Sequence, residues 1–558
     1  MRRLTGLLLA ALVAVALALV PATPALAHAA LLASDPQDGV VLDTAPEQVV
    51  LTFNQPVGIG LGAVRVVGPD GERVDGGAPE LRDGGRRVVA ALPRAEQRGT
   101  YVLLWRVMSE DSHPVSGAST FSIGAPSEPA TAAQADDAGT TPALRAFRLV
   151  GYLGVLLLVG AVVVPLVAWP AGLALRSVRG LQATGWALAL LGSTGTLLAQ
   201  GPNAAGLPLS RALELLPEVL TTRYGTAHLA RLALLGVLGA VLVVLARRGS
   251  AGRPVGLLLA AVGLPLLATW SLAGHPAAGD LRWLAVPADA VHLLAVGTWA
   301  GGLVVLVVAL LRRTDADELR SGLTAWSRLA TAAVVAMVLT GLFAGWREVR
   351  GVDALGATDY GRLLLLKSVL VLAMLYAGNR GRSLVRRSFD GRTVVHAATA
   401  QAVDAVAPPT PSRPDARRAL RRGALAEACL AAVVVLVTTV LVDTPPAASA
   451  YVRPLSTVVQ ADDDLTVQLD LDSARVGPNT LHVYLTTTGG RAVDVPEVTA
   501  RITRDGESVP VAVRRESLGH YEATERLVVP YAGTWVLEVV IRTSDIESDT
   551  VRQQLTIR

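Results

Sequence analysis

Long apolar blocks fill the middle of this chain, and short alternating stretches fill its two ends. From about residue 147 the blocks predict eight helices, near 147–168, 181–200, 227–246, 254–273, 288–311, 326–346, 362–378 and 424–442. Most approach the ~20 residues that a helix needs to cross a bilayer, and the seventh is the shortest. Ahead of them, residues 28–125 read as all-β. Gln48–Phe53, Ala63–Val67 and Thr100–Val107 are rich in β-branched and aromatic residues. Turn signals at Pro36–Gly39, Gly68–Gly71 and Asp83–Gly85 separate them. Many short strands within a span of roughly 100 residues predict a β-sandwich, immunoglobulin-like or cupredoxin-like. Residues 126–142, rich in Ala, Asp, Thr and Pro, read as a linker to a helical domain over 143–445. Alternation returns over 448–558, in Leu465–Leu471, Thr480–Leu485 and Thr534–Ile541, and predicts a second sandwich.

Composition strengthens the membrane reading, because 51% of residues are hydrophobic and only 17% charged. The net charge of +4 is too small to point to nucleic acid. The sequence also lacks a phosphate-binding glycine motif, so nucleotide-driven pumping is not expected. Arg2 and Arg3 precede an apolar run, Leu7–Val20, and then Ala25-Leu-Ala27. That order predicts a signal peptide over 1–27, with His28 first in the mature chain. Basic residues, almost all Arg, gather in alternate connections: Arg176 and Arg179; Arg247, Arg248 and Arg253; Arg312 and Arg313; and the cluster from Arg380 to Arg422. Positive residues stay in the cytoplasm, so those four connections lie inside. Both sandwiches then lie outside a plasma membrane crossed eight times.

The single cysteine, Cys429, rules out a disulfide within the chain and leaves histidine as the main soft-metal donor. A mature N-terminal His28 offers two nitrogens, its α-amine and its Nδ1. Asp111 and His113 stand two apart, and on an extended segment share a face. One amine, two imidazoles and a carboxylate form a tetragonal N,O set that suits Cu(II). The residues alone leave open a turn-capping Asp111 and an ordinary surface His113.

His28-Ala-Ala-Leu-Leu-Ala-Ser-Asp-Pro, Leu51-Thr-Phe-Asn-Gln-Pro-Val57 and Asp111-Ser-His-Pro-Val-Ser-Gly117 resemble the CopC copper-binding domain across residues 28–124. The resemblance implies a Cu(II) site made by the His28 amine and imidazole, Asp111 and His113. A methionine-rich Cu(I) site is not expected there, because Met108 is the domain's only methionine.

In the helical region His228, His275 and His292 fall near predicted outer helix ends, and Asp289 precedes His292 by three residues, on one helix face. Intramembrane ionisable residues commonly line polar paths. Met337 and Met374 offer soft donors for Cu(I) deeper in. Packing accounts for the methionines equally well, and an exposed loop for His275. Gly274-His-Pro276, Asp289-Ala-Val-His292, Trp299-Ala-Gly-Gly302, Tyr360–Lys367, Asn379-Arg380 and Leu420–Glu427 resemble the CopD family over about 145–445. Together the two halves resemble CopC–CopD fusion proteins, which implies copper movement across the membrane. Pro478–Tyr484, Gly519-His-Tyr521 and Gly533-Thr-Trp535 are similar to the YtkA-like domain, where His482 and His520 are further candidates for metal contact.

The expected function is therefore capture of extracytoplasmic Cu(II) and its transfer to a transmembrane domain, for import or for copper homeostasis and resistance. The partners are the copper ion and the bilayer, and no protein partner is legible. Two other readings stay open: sequestration without transport, and a redox protein with haem or copper in the bundle. An N-terminal histidine chelate also serves copper monooxygenases, but a carboxylate ligand and the lack of a substrate surface argue against an enzyme.

Overall fold

The computed structural model describes residues 29–127, 140–389 and 413–557, apart from short gaps at 30, 54, 60–63, 94, 96, 110–113, 249–251, 279–280 and 350 and at loop positions between 452 and 546. His28, Asp111 and His113 lie outside the described residues, as does the expected signal peptide.

The N-terminal region is a sandwich of two four-stranded sheets. Its strands are β1 (Leu31–Asp35), β2 (Val40–Leu42), β3 (Gln48–Phe53), β4 (Val64–Val67), β5 (Gly76–Arg82), β6 (Arg87–Ala91), β7 (Gly99–Met108) and β8 (Pro114–Ile123). One sheet runs β1-β3-β6-β5 and the other β2-β8-β7-β4. Alternation places Val49, Leu51 and Phe53 of β3 against Tyr101, Leu103 and Trp105 of β7 in the core. Each large side chain buried this way contributes roughly 1.5–3 kcal/mol.

The central region holds eight long helices: α1 (Thr140–Val167), α2 (Arg176–Ala205), α3 (Arg223–Arg248), α4 (Arg253–Leu272), α5 (Arg282–Val296), α6 (Ala316–Val349), α7 (Asp359–Phe389) and α8 (Arg413–Asp443). After α5 the chain makes one π-helical turn, Gly297–Gly301, and continues helically over Gly302–Val308. Among the described residues seven helices are long and apolar enough to cross a membrane, α2 being the exception. The reason is local. α2 buries Gln182, Ser193, Thr196, Gln200 and Asn203, and Gln182 donates to the Ala161 carbonyl at 3.0 Å.

Glycines let α1 and α2 touch backbone to backbone. A Cβ on Gly154 would lie 2.2 Å from the Ala189 nitrogen, and one on Gly192 would lie 2.2 Å from the Gly151 nitrogen.

Three expectations change. α1 begins at Thr140, inside the stretch expected to be linker. The seventh helix is 31 residues long rather than the shortest, because it runs past its apolar part into an Arg-rich segment that favours helix. A ten-residue helix, Ala212–Thr221, was too short for an apolar-block criterion.

The C-terminal region is a second sandwich. Its strands are β9 (Leu455–Gln460), β10 (Leu465–Leu471), β11 (Gly477–Asn479), β12 (Leu481–Thr487), β13 (Glu497–Arg504), β14 (Glu507–Val511), β15 (Val513–Ser517), β16 (His520–Ala523), β17 (Leu527–Val529), β18 (Gly533–Arg542) and β19 (Ser548–Ile557). The sheets run β15-β16-β12-β10-β9 and β14-β13-β18-β19, with β11 paired to β17. Trp535 is fully enclosed between them.

On the other face of β18, Glu538 sits between its cross-strand partners Arg501 and Arg552. Hydrogen bonds from Arg552, at 2.7 Å, and from Arg501 hold its carboxyl below the usual range. The unfolded chain binds that proton more readily, so this stabilisation is complete above the ordinary Glu pKa of about 4.3 and fades as pH falls below it. Amide exchange across β18 should accelerate as pH is lowered through that window, after correction for intrinsic rates. In Glu538→Gln the acid-dependent part should disappear.

Candidate functional site

The described strands put the two flanks of the expected Cu(II) ligands at one end of the N-terminal sandwich. Leu31, at the start of β1, pairs with Phe53 at the end of β3. The Phe53 ring meets Trp105 edge-on, with centroids 5.5 Å apart, and Trp105 lies three residues before the end of β7. Ala29 is buried. So β1 begins, and β3 and β7 end, at the same end of the fold.

The glycine closing the Asp111–Gly117 motif has its own reason. A Cβ on Gly117 would fall 2.3 Å from the Trp105 ring. Gly117→Ala should cost about 1–3 kcal/mol through overpacking of a rigid indole, read as a lower denaturation midpoint of the N-terminal sandwich.

In the helical bundle the sequence-predicted residues separate into three environments. His228 on α3 lines a cavity of about 60 Å³ with Arg148, Tyr152, Ser193, Tyr224 and Arg231, large enough for water. Its Nδ1–H donates to the Tyr224 carbonyl at 2.9 Å. Its Nε2 then accepts from the Arg231 guanidinium at 3.1 Å. Arg231 is fixed in turn by the Thr269 hydroxyl and carbonyl, at 3.0 and 2.8 Å, and by the Trp270 ring. Both nitrogens of His228 are thus engaged, one by a cation, in a cavity bordered by two arginines. That arrangement orients Arg231 and does not favour a metal cation.

His275 opens a 3₁₀ turn, His275–Ala277, rather than an exposed loop. Its Nε2–H donates to the Val442 carbonyl at 3.2 Å. Arg347 donates to the His275 carbonyl at 3.1 Å and also to that of Ala278. Arg223 reaches the Ala277 carbonyl at 2.9 Å. The Gly274-His-Pro motif thereby ties α4 to α3, α6 and α8.

Asp289 and His292 have a different setting. Asp289 accepts from the Ser271 hydroxyl of α4 at 2.7 Å. His292 Nδ1 lies 2.9 Å from the Thr340 hydroxyl of α6. Thr340 already donates its proton to the Ala336 carbonyl at 2.6 Å, so toward His292 it accepts. His292 is then protonated on Nδ1, and its Nε2 keeps a lone pair. Lys367 of α7 acts electrostatically on both Asp289 and His292. Asp289 lies seven residues into α5, about 10 Å along the helix, and Lys367 eight residues into α7, about 12 Å.

Met337 and Met374 are buried in the apolar cluster that also holds Trp299 and Trp326. Met337 is one turn from Thr340, its carbonyl 3.2 Å from that hydroxyl. Among the described residues no three of His, Cys, Asp or Glu come together to hold a metal ion.

Sequence reading did not single out Ser271, Thr340, Arg231 or Lys367 as site residues. A signal for the last was present, since Lys367 is the one lysine of the chain and stands in an apolar block. The hydroxyls carry no signal, because Ser and Thr are ordinary in such helices.

Comparison with known proteins gives the family. Residues 31–124 match the CopC domain, 137–283 the N-terminal domain of copper resistance protein D-like proteins, and 322–441 copper resistance protein D. This chain joins CopC and CopD family domains. It is homologous to the copper transport protein CutJ of Bacillus subtilis, with 28% identity over 370 residues, 63% of this chain and 67% of CutJ. Protein YobA of Escherichia coli is 30% identical over 98 residues, 17% of this chain and 79% of YobA. The crystal structure of CopC from Methylosinus trichosporium OB3b aligns with 18% of this chain and 97% of its own, at 25% identity and a TM-score of 0.17.

The CopC–CopD chain is thus a copper-related membrane protein, and the matched families are copper-binding and copper-transport proteins rather than known enzymes. The family motifs also acquire a local meaning. Trp299-Ala-Gly-Gly302 covers most of the π-helical turn, where a Cβ on Gly301 would lie 2.0 Å from the Leu156 oxygen and one on Gly302 would lie 2.3 Å from the Trp326 ring. Such turns recur at functional sites, and this one begins five residues beyond His292.

Proposed function

We propose that this CopC–CopD chain captures Cu(II) outside the cell and passes copper into its helical bundle, for import or for copper homeostasis. His28, through its amine and Nδ1, Asp111 and His113 are the capturing ligands. The observation that carries the transfer step is the Asp289–His292 pair, one turn apart on α5 and held by Ser271 and Thr340. It offers a carboxylate and an imidazole lone pair within apolar helices of a chain whose other domain matches CopC. Ionisable groups at such depth are costly and usually mark an ion path.

Beyond this pair, Met337 and Met374 supply thioethers, so oxygen and nitrogen donors precede sulfur. That order suits Cu(II) at entry and Cu(I) deeper in. Eight spans, counting the polar inner helix α2 as one, with the Arg-rich connections in the cytoplasm, hold both sandwiches outside the plasma membrane. Tethering the capturing domain raises the local concentration of donor near acceptor. The membrane potential favours inward cation movement by about 2.3 kcal/mol per charge per 100 mV. We assign the C-terminal sandwich as YtkA-like.

Whole-cell copper tests the reading in a strain lacking the chain, grown under copper limitation. Deletion should lower cell copper, and the wild-type chain, but not His113→Ala, should restore it. Unchanged or raised copper on deletion would favour extracytoplasmic sequestration. A Soret band in the purified protein would favour a haem redox role.

A further inference from the structure

Two histidines on the C-terminal sandwich have a geometry that the copper reading has not used. His482 of β12 and His520 of β16 bring Nδ1 and Nε2 to 3.1 Å of each other. Metal–nitrogen bonds of about 2.0 Å put two ligands about 2.8 Å apart at a right angle and about 3.3 Å apart at a tetrahedral angle. The observed separation lies between these, so a metal ion fits both nitrogens with little movement.

The surroundings favour a cation. β12 is flanked by β10 and β16, and the direct cross-strand partners of His482 are Asp470 on one side and Glu522 on the other. Such partners have Cβ atoms roughly 4.5–5.5 Å apart. Asp470 accepts from Ser456 Oγ at 2.6 Å and from Gln468 Nε2 at 3.0 Å, both neutral donors. Among the described residues no salt bridge neutralises Asp470, and Arg514, the other cross-strand neighbour of Glu522, pairs with Glu516 instead.

The second imidazole is held in place. Tyr484, the cross-strand partner of His520, stacks on it with centroids 4.5 Å apart and planes 9° apart. Tyr484 also lies 6.2 Å from the His482 ring. All three rings are half-buried on the outer face of the five-stranded sheet, while Leu481, Val483 and Leu485 turn inward. No third His, Cys, Asp or Glu among the described residues completes a cluster, so the remaining coordination positions are open to water or to an incoming donor group.

We propose that His482 and His520 form a second Cu(II) site, a two-histidine chelate on the C-terminal sandwich. Imidazole pairs beside carboxylates suit Cu(II), which binds such sites more tightly than the other divalent first-row ions. The geometry is independent of the N-terminal site, and the choice of copper rests on the function proposed above.

Cu(II) titration of the full-length chain in detergent, followed by paramagnetic resonance, tests the site. His113→Ala should bind one Cu(II) equivalent fewer than wild type. Adding His482→Gln and His520→Asn to His113→Ala should remove one equivalent more. Both positions face out of the sheet, and unchanged amide exchange in β18 would report an intact fold. If His113→Ala binds no copper, or the triple variant keeps that equivalent, the two imidazoles merely share a hydrogen bond and the proposal falls. If His482→Gln with His520→Asn removes an equivalent but His113→Ala does not, this site stands and the N-terminal assignment fails.

Discussion

A CopC–CopD chain carrying one extra residue ahead of His28 should lose its tight tetragonal Cu(II) site at the N-terminal domain, and His113→Ala should do the same. The extra residue converts the α-amine to a peptide nitrogen and breaks the six-membered chelate ring that amine and Nδ1 close with the metal, without touching any side chain. His113→Ala removes an imidazole. Each change strips a direct donor, so affinity should fall by more than the roughly 10–100-fold that changes in outer-sphere partners cost. The fold should survive both. The strands that flank these ligands are anchored by Ala29 and by the Phe53–Trp105 contact, neither of which the changes alter. Because an amine of pKa about 7.7–8.0 must lose its proton to bind, wild-type affinity should weaken as pH falls below that range. In the extended variant this part of the pH dependence should vanish. Equal copper binding by wild type and the extended chain would remove the amine from the site.

The architecture was legible because each region has a pure periodicity. Strand β3 was read at its observed limits, Gln48–Phe53, since alternation and turn residues agree there. Helix α1 begins seven residues before its apolar block because Thr140–Ala146, interrupted by Thr, Pro and Arg, extends a helix already nucleated by its apolar part. Helix α2 resembled its neighbours in length, but its buried glutamines and hydroxyls belong to an inner helix, and a composition average cannot tell inner from lipid-facing positions.

The bundle's chemistry was only half legible. Histidines announce themselves, but whether a histidine has a lone pair to give depends on its neighbours. His228 and His292 look alike in sequence. Arg231 occupies Nε2 of the first, whereas Thr340 takes the Nδ1 proton of the second and leaves Nε2 available. That distinction rests on a hydroxyl whose own proton goes to a carbonyl four residues back, and no pattern of residue types encodes it.

Asp289→Asn should reduce copper uptake into membrane vesicles about tenfold or more while leaving copper capture by the N-terminal domain intact. The carboxylate accepts from Ser271 and is the acidic group that Lys367 senses among the described residues, so its loss leaves the lysine without that counter-charge and the ion with only a neutral amide oxygen. A tenfold change corresponds to about 1.4 kcal/mol, well within the value of a charge interaction at this depth. Lys367→Met makes the opposite imbalance. A copper ion can then replace the ammonium as partner of Asp289, so copper should be held longer in the bundle and released more slowly, again lowering uptake. The double variant is the informative one. Removing one of two buried charges that compensate each other through space is destabilising, whereas removing both is often neutral. Asp289→Asn with Lys367→Met should therefore return the protein to wild-type abundance in the membrane and still fail to transport. Uptake restored together with abundance would make the pair a structural tie and take it off the copper path.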